Sequence, residues 1–374
     1  MEIQKILVVG GYYAPSEKPQ IHYSGTKDIN LAIGFKHHCS SVFMVSKNRS
    51  DSEHGINFIP LANISLEFLD SFDLIIFTRE QFMESILQRN QEFENYIFDY
   101  PDRRAILISR MGSSAWMSKT RWGRNKLYNA FDFHFPQTAE FVKAMKAKCG
   151  NDPDNKIYPS AMAVPMTLPP KEKCPFIKHN HNLIYMGRMR HNPSRMPTMI
   201  QMMRRLGKQY HLNILPGTFS KPDMKEGRNK FGPENRDNFK WLTKYFSVSS
   251  NITIHKPLEW GQHWNYLYHS DIAVDFSPNS KCRKHAAGNA KLLEYMAAGL
   301  PVVVEVGPGN LNLVHDCRGG IVLNQGADAK QYAVGIQKAI KATFDRKHIA
   351  KITMKNQNWK VRAGEILSII KGKK

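Results

Sequence analysis

One stretch of the chain joins a helix, a turn and a buried strand, Lys291-Leu-Leu-Glu294-Tyr-Met-Ala-Ala-Gly299-Leu-Pro301-Val-Val-Val304. It predicts a helix followed by Gly299 in the left-handed conformation that glycine favours, and then a strand that Pro301 opens. Lys291 and Glu294 are three residues apart, so both project from one face of the helix. Gly288-Asn289 suits the start of a helix, where free N–H groups favour a phosphorylated ligand. An ordinary surface salt bridge between Lys291 and Glu294 explains the same spacing.

The stretch resembles the nucleotide-sugar-binding motif of GT-B glycosyltransferases, above all the retaining group 1 family typified by glycogen synthase and bacterial mannosyltransferases. In that family a glutamate before the sequence xxxAxGxPVV binds the ribose hydroxyls of the donor, and the matching residue here is Glu294. The resemblance continues downstream from Gly307-Pro-Gly309 to residues 319–323. Upstream, Leu183-Ile-Tyr-Met-Gly187-Arg188 is similar to the family's first strand and phosphate loop. The matching segments together span residues 183–323.

The resemblance implies roles for particular residues. The arginine that matches Arg188 binds the donor pyrophosphate in the family, and a guanidinium can contact two oxygens of the departing diphosphate. The family's second base has no clean match, and we assign its place to Arg195. Lys291 is either a further phosphate contact or a local partner of Glu294. Gly11, after the first strand, and Gly288 are candidates for backbone contacts with the donor, while Arg188 and Glu294 are expected to carry the reaction.

The chain also departs from the family pattern. Many retaining members have a second glutamate eight residues before the ribose-binding one, and here that position is Ala286. The donor sugar and the retaining stereochemistry therefore stay open. No catalytic base is evident, and His134, within an apolar strand, is expected to be a core residue. A retaining reaction needs no protein base if the leaving phosphate takes the proton from the acceptor.

Composition excludes several other classes of protein. A chain of 374 residues with 42% hydrophobic content is long enough for two globular domains, and no apolar run is long enough to span a bilayer. Five scattered cysteines do not suggest a disulfide framework or a zinc site, which favours a reducing, cytoplasmic compartment.

Asp152-Pro153-Asp154 matches a D-x-D metal motif but lies in a predicted turn, so we expect neither a metal requirement nor a cofactor besides the donor substrate.

The formal net charge is +21, from 53 lysines and arginines against 32 acids. Such a charge favours anionic lipid, nucleic acid or phosphorylated glycans as partners, although a solvated basic surface explains it too. Residues 102–126 contain seven bases and one acid, interleaved with Trp116 and Trp122, and residues 346–374 contain nine bases and one acid. Tryptophan beside cationic side chains suits a membrane interface or a nucleic acid.

The order of short apolar runs and helical segments predicts two doubly wound, Rossmann-like α/β domains that face each other across a cleft. Strands are expected at residues 5–11, 41–46, 74–78, 105–109, 131–136, 183–187, 211–217, 252–256, 272–277, 302–305 and 320–323. We place an acceptor domain at residues 1–165 and a donor domain at 175–354. Residues 347–370 are expected to be helical. The resemblance implies that the last helix, at about residues 355–374, returns to the first domain, with Trp359 as its anchor.

The sequence therefore predicts a GT-B glycosyltransferase, most simply a hexosyltransferase. It would move a sugar from a nucleoside-diphosphate sugar to an acceptor hydroxyl of a lipid-linked or envelope glycan, with the protein bound peripherally to the inner face of a membrane. One alternative is a phage-type glycosyltransferase that modifies DNA bases. The other is a basic, non-catalytic GT-B-like binding protein, which the alanine at position 286 keeps open.

Overall fold

The computed structural model describes residues 2–10, 23–46, 49–78, 83, 86–110, 124–137, 139–187, 195–216, 239–256, 258, 261–276, 290–307 and 310–373. The chain forms two compact units, and each is built on its own sheet. The first comprises Met1–Lys18, His22–Met166 and Gln357–Lys374, and the second comprises Pro19–Ile21 and Thr167–Asn356.

The first unit contains a seven-stranded sheet in the order β3-β4-β2-β1-β5-β6-β7. Only the short β3 runs antiparallel to its neighbour, because a two-residue turn joins it to β4. The strands are β1 (Lys5–Val9), β2 (Ser41–Ser46), β3 (Ser52–Glu53), β4 (Ile56–Pro60), β5 (Leu74–Phe77), β6 (Ile106–Ser109) and β7 (Phe133–His134).

Six helices of the described chain accompany this sheet, and the last of them comes from the C-terminus. They are α1 (Tyr23–Lys36), α2 (Leu66–Asp70), α3 (Gln91–Phe98), α4 (Arg124–Ala130), α5 (Ala139–Lys148) and α13 (Trp359–Lys373). Helix α13 packs against α1. A Cβ added at Gly34 of α1 would lie only 2.4 Å from the backbone oxygen of Trp359, so the two helices approach as closely as glycine allows. Trp359 is buried in this unit, as the sequence predicts.

The second unit contains a six-stranded parallel sheet in the order β10-β9-β8-β11-β12-β13. Its strands are β8 (His181–Gly187), β9 (Tyr210–Pro216), β10 (Ile252–Ile254), β11 (Ile272–Asp275), β12 (Val302–Glu305) and β13 (Gly320–Leu323). The described helices are α6 (Met196–Leu206), α7 (Phe239–Phe246), α8 (His263–His269), α9 (Ala290–Ala297), α10 (Asn310–Asp316), α11 (Ala329–Lys341) and α12 (Arg346–Asn356).

The central strands of both sheets are fully buried, which explains why they appear in the sequence as continuous apolar runs. The predicted α/β class with two parallel sheets is confirmed, and strands β2, β12 and β13 have the predicted bounds. Strands β3 and β4 were not predicted, because the segment Ser52–Glu53 is polar and Ile56–Pro60 is interrupted by Asn57.

Residues 347–370 are helical as predicted, but the segment is divided into two helices, of which only the second, α13, belongs to the first unit. The break has a local cause at Asn358, whose side chain accepts a hydrogen bond from the Val361 N–H at 2.9 Å and so caps α13. Gln357 and Trp359 also exchange backbone hydrogen bonds with Val164. The break lets α12 stay with the second unit while α13 joins the first.

None of the helices in the described part of the chain combines the length and apolar character that a membrane span requires.

Candidate functional site

The strand order of the second sheet reverses between β8 and β11, which are neighbours in space although β9 and β10 separate them in sequence. In open parallel sheets such a switch point opens a crevice at the carboxyl ends of the strands, and ligands bind there. Here the two strands end at Gly187 and Asp275. Helix α9, which carries Lys291 and Glu294, contacts β12, the next strand of the sheet.

Lys291 lies at this switch point. Its Nζ is 2.6 Å from Asp275 Oδ1 and 5.0 Å from the centre of the Tyr185 ring. A Cβ added at Gly187 would be 3.1 Å from Lys291 Cδ, so the lysine also lies against the end of β8. Burial alone would lower the pKa of Lys291, but attraction by Asp275, Tyr185 and Glu294 together outweighs it, so the pKa is raised. Lys291 is therefore a cation at neutral pH, with Asp275 as its close partner.

Helix α9 is joined to the sheet by a hydrogen bond, and the turn after it packs against the start of α12. The Tyr295 hydroxyl accepts a hydrogen bond of 2.7 Å from the Met186 N–H near the end of β8. After the helix, Gly299 has a φ of +72°, which confirms the predicted left-handed position. A side chain at Gly299 would also collide with the Arg346 backbone oxygen, 2.4 Å from an added Cβ. The turn therefore needs glycine for two independent reasons.

Glu294 is 7% exposed, so it does not form the exposed salt bridge that its spacing allowed. Its Oε2 lies 3.9 Å from Nε2 of His263, the first residue of α8. Burial lowers the pKa of His263 to about 4, so this imidazole is neutral at physiological pH. Glu294 is thus a buried carboxylate that lies one helical turn from the cationic Lys291.

Arg195 belongs to a buried hydrogen-bonding network at the carboxyl end of β12. Its Nη2 is 2.5 Å from Glu305 Oε1, at the end of β12, and its Nη1 donates to the Ala327 backbone oxygen at 2.9 Å. Glu305 also accepts hydrogen bonds from the Tyr332 hydroxyl and the Gly326 N–H, both at 2.9 Å. A phosphate contact by Arg195 stays a prediction, and the structure gives the side chain a structural partner in Glu305.

Three predicted site residues, Gly11, Arg188 and Gly288, lie outside the described residues, as does Ala286. Gly10 is the last described residue before Gly11. It follows β1 at the switch point of the first sheet, where an added Cβ would be 2.7 Å from Asp28 Oδ2.

Asp275, Glu305 and His263 were missed by the sequence reasoning. The first two share a signal that could have revealed them, because each is an acidic residue that ends an apolar strand at the carboxyl edge of the sheet. His263 has no such local signal, since its proximity to Glu294 depends on how α8 and α9 pack.

The first unit also contains polar residues that the sequence singled out. Asp152 accepts hydrogen bonds from the Lys156 and Ile157 N–H groups and from the Tyr128 hydroxyl, so it fixes the predicted turn. His134 is fully buried with its Nδ1 2.6 Å from Ser109 Oγ, as expected of a core histidine. Within the described ranges, no group of three or more His, Cys, Asp or Glu side chains is arranged to bind a metal ion.

Arg110, one of the seven bases of residues 102–126, is buried, with 2% of its surface exposed. Its guanidinium donates to the backbone oxygens of Ser160 and Ala161 and lies 5.0 Å from the centre of the Trp359 ring. Arg110 therefore stabilises the contact of α13 with the first unit and does not contribute to a basic surface.

Three histidines of the second unit, one buried and two half-buried, predict a pH dependence. Burial lowers the pKa of His211 and His255 to about 4, as it does for His263. Unfolded histidine titrates near pH 6.5, so below that pH the unfolded chain binds protons that the folded unit excludes. The free energy of unfolding should be insensitive to these groups above about pH 6.5 and fall as the pH approaches 4.

Thermal unfolding measured between pH 4 and 8 tests this expectation. His255 Nε2 is 2.8 Å from Asn213 Oδ1, and glutamine can keep that hydrogen bond without gaining a charge. His255→Gln should therefore lose less stability in acid than the wild-type chain does. Equal slopes of melting temperature against pH would contradict the assignment for His255.

Comparisons with known proteins agree with this geometry. Residues 171–356 match the family described as "Glycosyl transferases group 1". The fold is similar to sucrose-phosphate synthase from Thermosynechococcus elongatus, with a TM-score of 0.64, 12% identity, and 99% of this chain and 98% of the other covered. It is also similar to Anabaena Alr3699/HepE in complex with UDP-glucose, with a TM-score of 0.65, 12% identity, and 98% and 99% covered.

A further likeness is to the lipopolysaccharide outer core galactosyltransferase WaaB, with a TM-score of 0.60, 12% identity, and 99% and 100% of the two chains covered. No curated protein sequence matches the chain. At such low identities the structural likenesses show the fold alone, and that fold is GT-B. The fold and the family match together define a glycosyltransferase. The chain belongs to the group 1 glycosyltransferases.

Proposed function

We propose that the second unit binds a nucleoside-diphosphate sugar at the switch point between β8 and β11, and that the enzyme transfers the hexosyl group to an acceptor hydroxyl with retention of configuration. The observation that carries the proposal is the pair on α9, in which the buried carboxylate of Glu294 lies one turn from the cationic Lys291. Hydroxyl groups of a ribose suit the first, and phosphate oxygens suit the second. The similar structure of Anabaena Alr3699/HepE is a complex with UDP-glucose, which supports a donor of this class.

In the proposed site, different residues bind different parts of the donor. Glu294 accepts hydrogen bonds from the ribose, while Lys291, Arg188 and Arg195 are the cationic candidates for the diphosphate. When the bond between the sugar carbon and the phosphate oxygen breaks, the diphosphate gains negative charge. A bond then forms from the acceptor oxygen to the same carbon, and the acceptor proton passes to the leaving phosphate. Fixed cations near the diphosphate stabilise this change because their attraction increases toward the transition state.

The reaction should not require a divalent metal or another cofactor. Lys291 is already cationic at the site, and basic side chains can supply the charge that a metal ion provides in other transferases. Uridine, guanosine and adenosine diphosphate sugars should first be compared by thermal shift, since a bound donor raises the melting temperature. Donor hydrolysis and transfer should then proceed at unchanged rate in a chelator. Loss of activity in chelator and its return with magnesium or manganese would contradict the proposal, and donor binding without any turnover would favour a non-catalytic binding protein.

We further propose that the acceptor is a lipid-linked or envelope glycan and that the enzyme works peripherally at the cytoplasmic face of a membrane. Exposed lysines in the C-terminal region support an anionic partner, among them Lys347, Lys351 and Lys355 on α12. The structurally similar WaaB is a lipopolysaccharide galactosyltransferase, which is consistent with an envelope acceptor. Lys126 on α4 is exposed, with its Nζ 4.8 Å from the centre of the Phe98 ring.

Replacing Lys119, Arg121, Arg124 and Lys126 together with glutamine tests the membrane contact; the first two lie outside the described residues. Bases attract anionic head groups in a salt-dependent way, so binding to phosphatidylserine-containing vesicles should fall about tenfold or more, while donor hydrolysis is spared. Co-sedimentation measures the binding, and neutral phosphatidylcholine vesicles are the control. Unchanged vesicle binding with lost binding to duplex DNA would favour the DNA-modifying alternative.

A further inference from the structure

His263 carries a buried nitrogen that no hydrogen bond in the structure explains. It is the first residue of α8, and its side chain is 13% exposed. Nε2 is inaccessible to solvent and has no hydrogen-bond partner among the described residues. The group it faces is Glu294 Oε2, at 3.9 Å, which is too long for a direct hydrogen bond. A buried donor without a partner is unfavourable, so this arrangement suggests a site that a ligand completes.

The geometry defines the kind of atom that would fit between the two side chains. A carboxylate only accepts hydrogen bonds, so the imidazole nitrogen that faces Glu294 is the one that carries hydrogen. An oxygen about 2.8 Å from both atoms would lie within hydrogen-bonding distance of each. It must accept from His263 and donate to Glu294, and a hydroxyl group can do both at once.

His263 is held where it can make this contact. The neighbouring Trp264 is 1% exposed, and its ring centre is 5.2 Å from that of His263. Asn265 fixes the same helix to the chain before β8, because its side chain accepts from the Glu172 N–H at 3.0 Å and donates to the Lys173 backbone oxygen at 2.6 Å. At the other end of α8, Arg346 Nη1 donates to the Ser270 backbone oxygen at 2.9 Å.

We propose that His263 is a second ribose-recognition residue, which donates a hydrogen bond to the same sugar hydroxyl that donates to Glu294. The pair would thereby select ribonucleotide donors over donors that lack this hydroxyl. This inference rests on the proposed function, because it takes the ribose to lie against Glu294. The lowered pKa of His263 agrees with it, since the neutral imidazole still has one N–H group to donate.

Calorimetry with nucleoside diphosphates tests the proposal. The probes are uridine, guanosine and adenosine diphosphates, followed by the 2′-deoxy and 3′-deoxy forms of whichever binds tightest. His263→Phe keeps a ring of similar size and removes the donor, so it should weaken binding of the ribonucleotide about fivefold to tenfold. Its affinity for one of the two deoxy forms should equal that of the wild type, because that form lacks the bridged hydroxyl. His263→Gln keeps an N–H donor and should recover part of the loss.

The controls separate this inference from the proposed function. His315→Phe, at an 85% exposed histidine on α10, should change no affinity, and all variants should unfold at wild-type temperatures. If His263→Phe weakens binding of the ribonucleotide and of both deoxy forms equally, or of none of them, His263 is not a ribose contact. In that case a large effect of Glu294→Ala would still support the proposed donor site. Failure of the wild type to bind any of the three diphosphates would overturn both.

Discussion

Replacement of Glu294 with alanine is expected to weaken donor binding by about 150-fold or more. In the proposed site its carboxylate accepts hydrogen bonds from two ribose hydroxyls, and a hydrogen bond to a charged group contributes ~1.5–3 kcal/mol. Two such bonds amount to at least about 3 kcal/mol, which corresponds to that change in dissociation constant. Calorimetry with the preferred nucleoside diphosphate measures the effect directly, without a requirement for the acceptor.

Glu294→Gln is the matched control for this prediction. Glutamine preserves the volume and one acceptor oxygen but removes the charge, so its affinity should lie between those of the wild type and the alanine variant. Because Glu294 is 7% exposed, melting temperatures of both variants must accompany the binding data. An alanine variant that folds normally and binds the donor as tightly as the wild type would contradict the assignment of Glu294 to the ribose.

The sequence predicted the central strands because their bounds are marked locally. Strand β12 (Val302–Glu305) follows a proline and is wholly buried, and β13 begins at a glycine. The edge strand β3 and its neighbour β4 have no comparable apolar run. Their pairing depends on the turn between them and on the contact of β4 with β2, neither of which hydrophobic periodicity detects.

The C-terminal helices show a second limit of local prediction. Residues 346–373 are helical apart from the break around Asn358, and apolar residues occur throughout. Asn358 caps α13 locally, but the break also involves Val164, almost two hundred residues earlier, which exchanges hydrogen bonds with Gln357 and Trp359. A pairing between such distant residues has no signature in the spacing of the helix itself.

The same limit applies to the site. Helical spacing placed Lys291 and Glu294 on one face, and the structure keeps them one turn apart on α9. The spacing did not show that Lys291 pairs with Asp275, because that contact joins α9 to strand β11. Nor did it show that His263 approaches Glu294, since the two belong to separate helices. Sequence patterns thus found the residues on one element, and packing determined their partners.

Arg195→Met is expected to destabilise the second unit by about 3–5 kcal/mol, because it leaves the fully buried Glu305 without its cationic partner. Tyr332 and Gly326 would still donate to the carboxylate, but neither neutralises its charge. Denaturant unfolding of the variant and the wild type would measure the loss. Glu305→Gln removes the uncompensated charge, so adding it to Arg195→Met should restore part of the stability.

The double-mutant cycle decides between the two roles open to Arg195. A buried ion pair predicts that the two single substitutions are far from additive, since each removes the same interaction. A phosphate ligand predicts the reverse, in which Arg195→Met leaves the unfolding curve unchanged and lowers donor affinity or turnover. Because Arg195 Nη1 also donates to the Ala327 backbone oxygen, the arginine joins the end of β12 to the start of α11. We therefore expect Arg195→Met to lower the stability of the second unit more than it lowers donor affinity. A variant of normal stability with impaired turnover would instead show that Arg195 contacts the diphosphate.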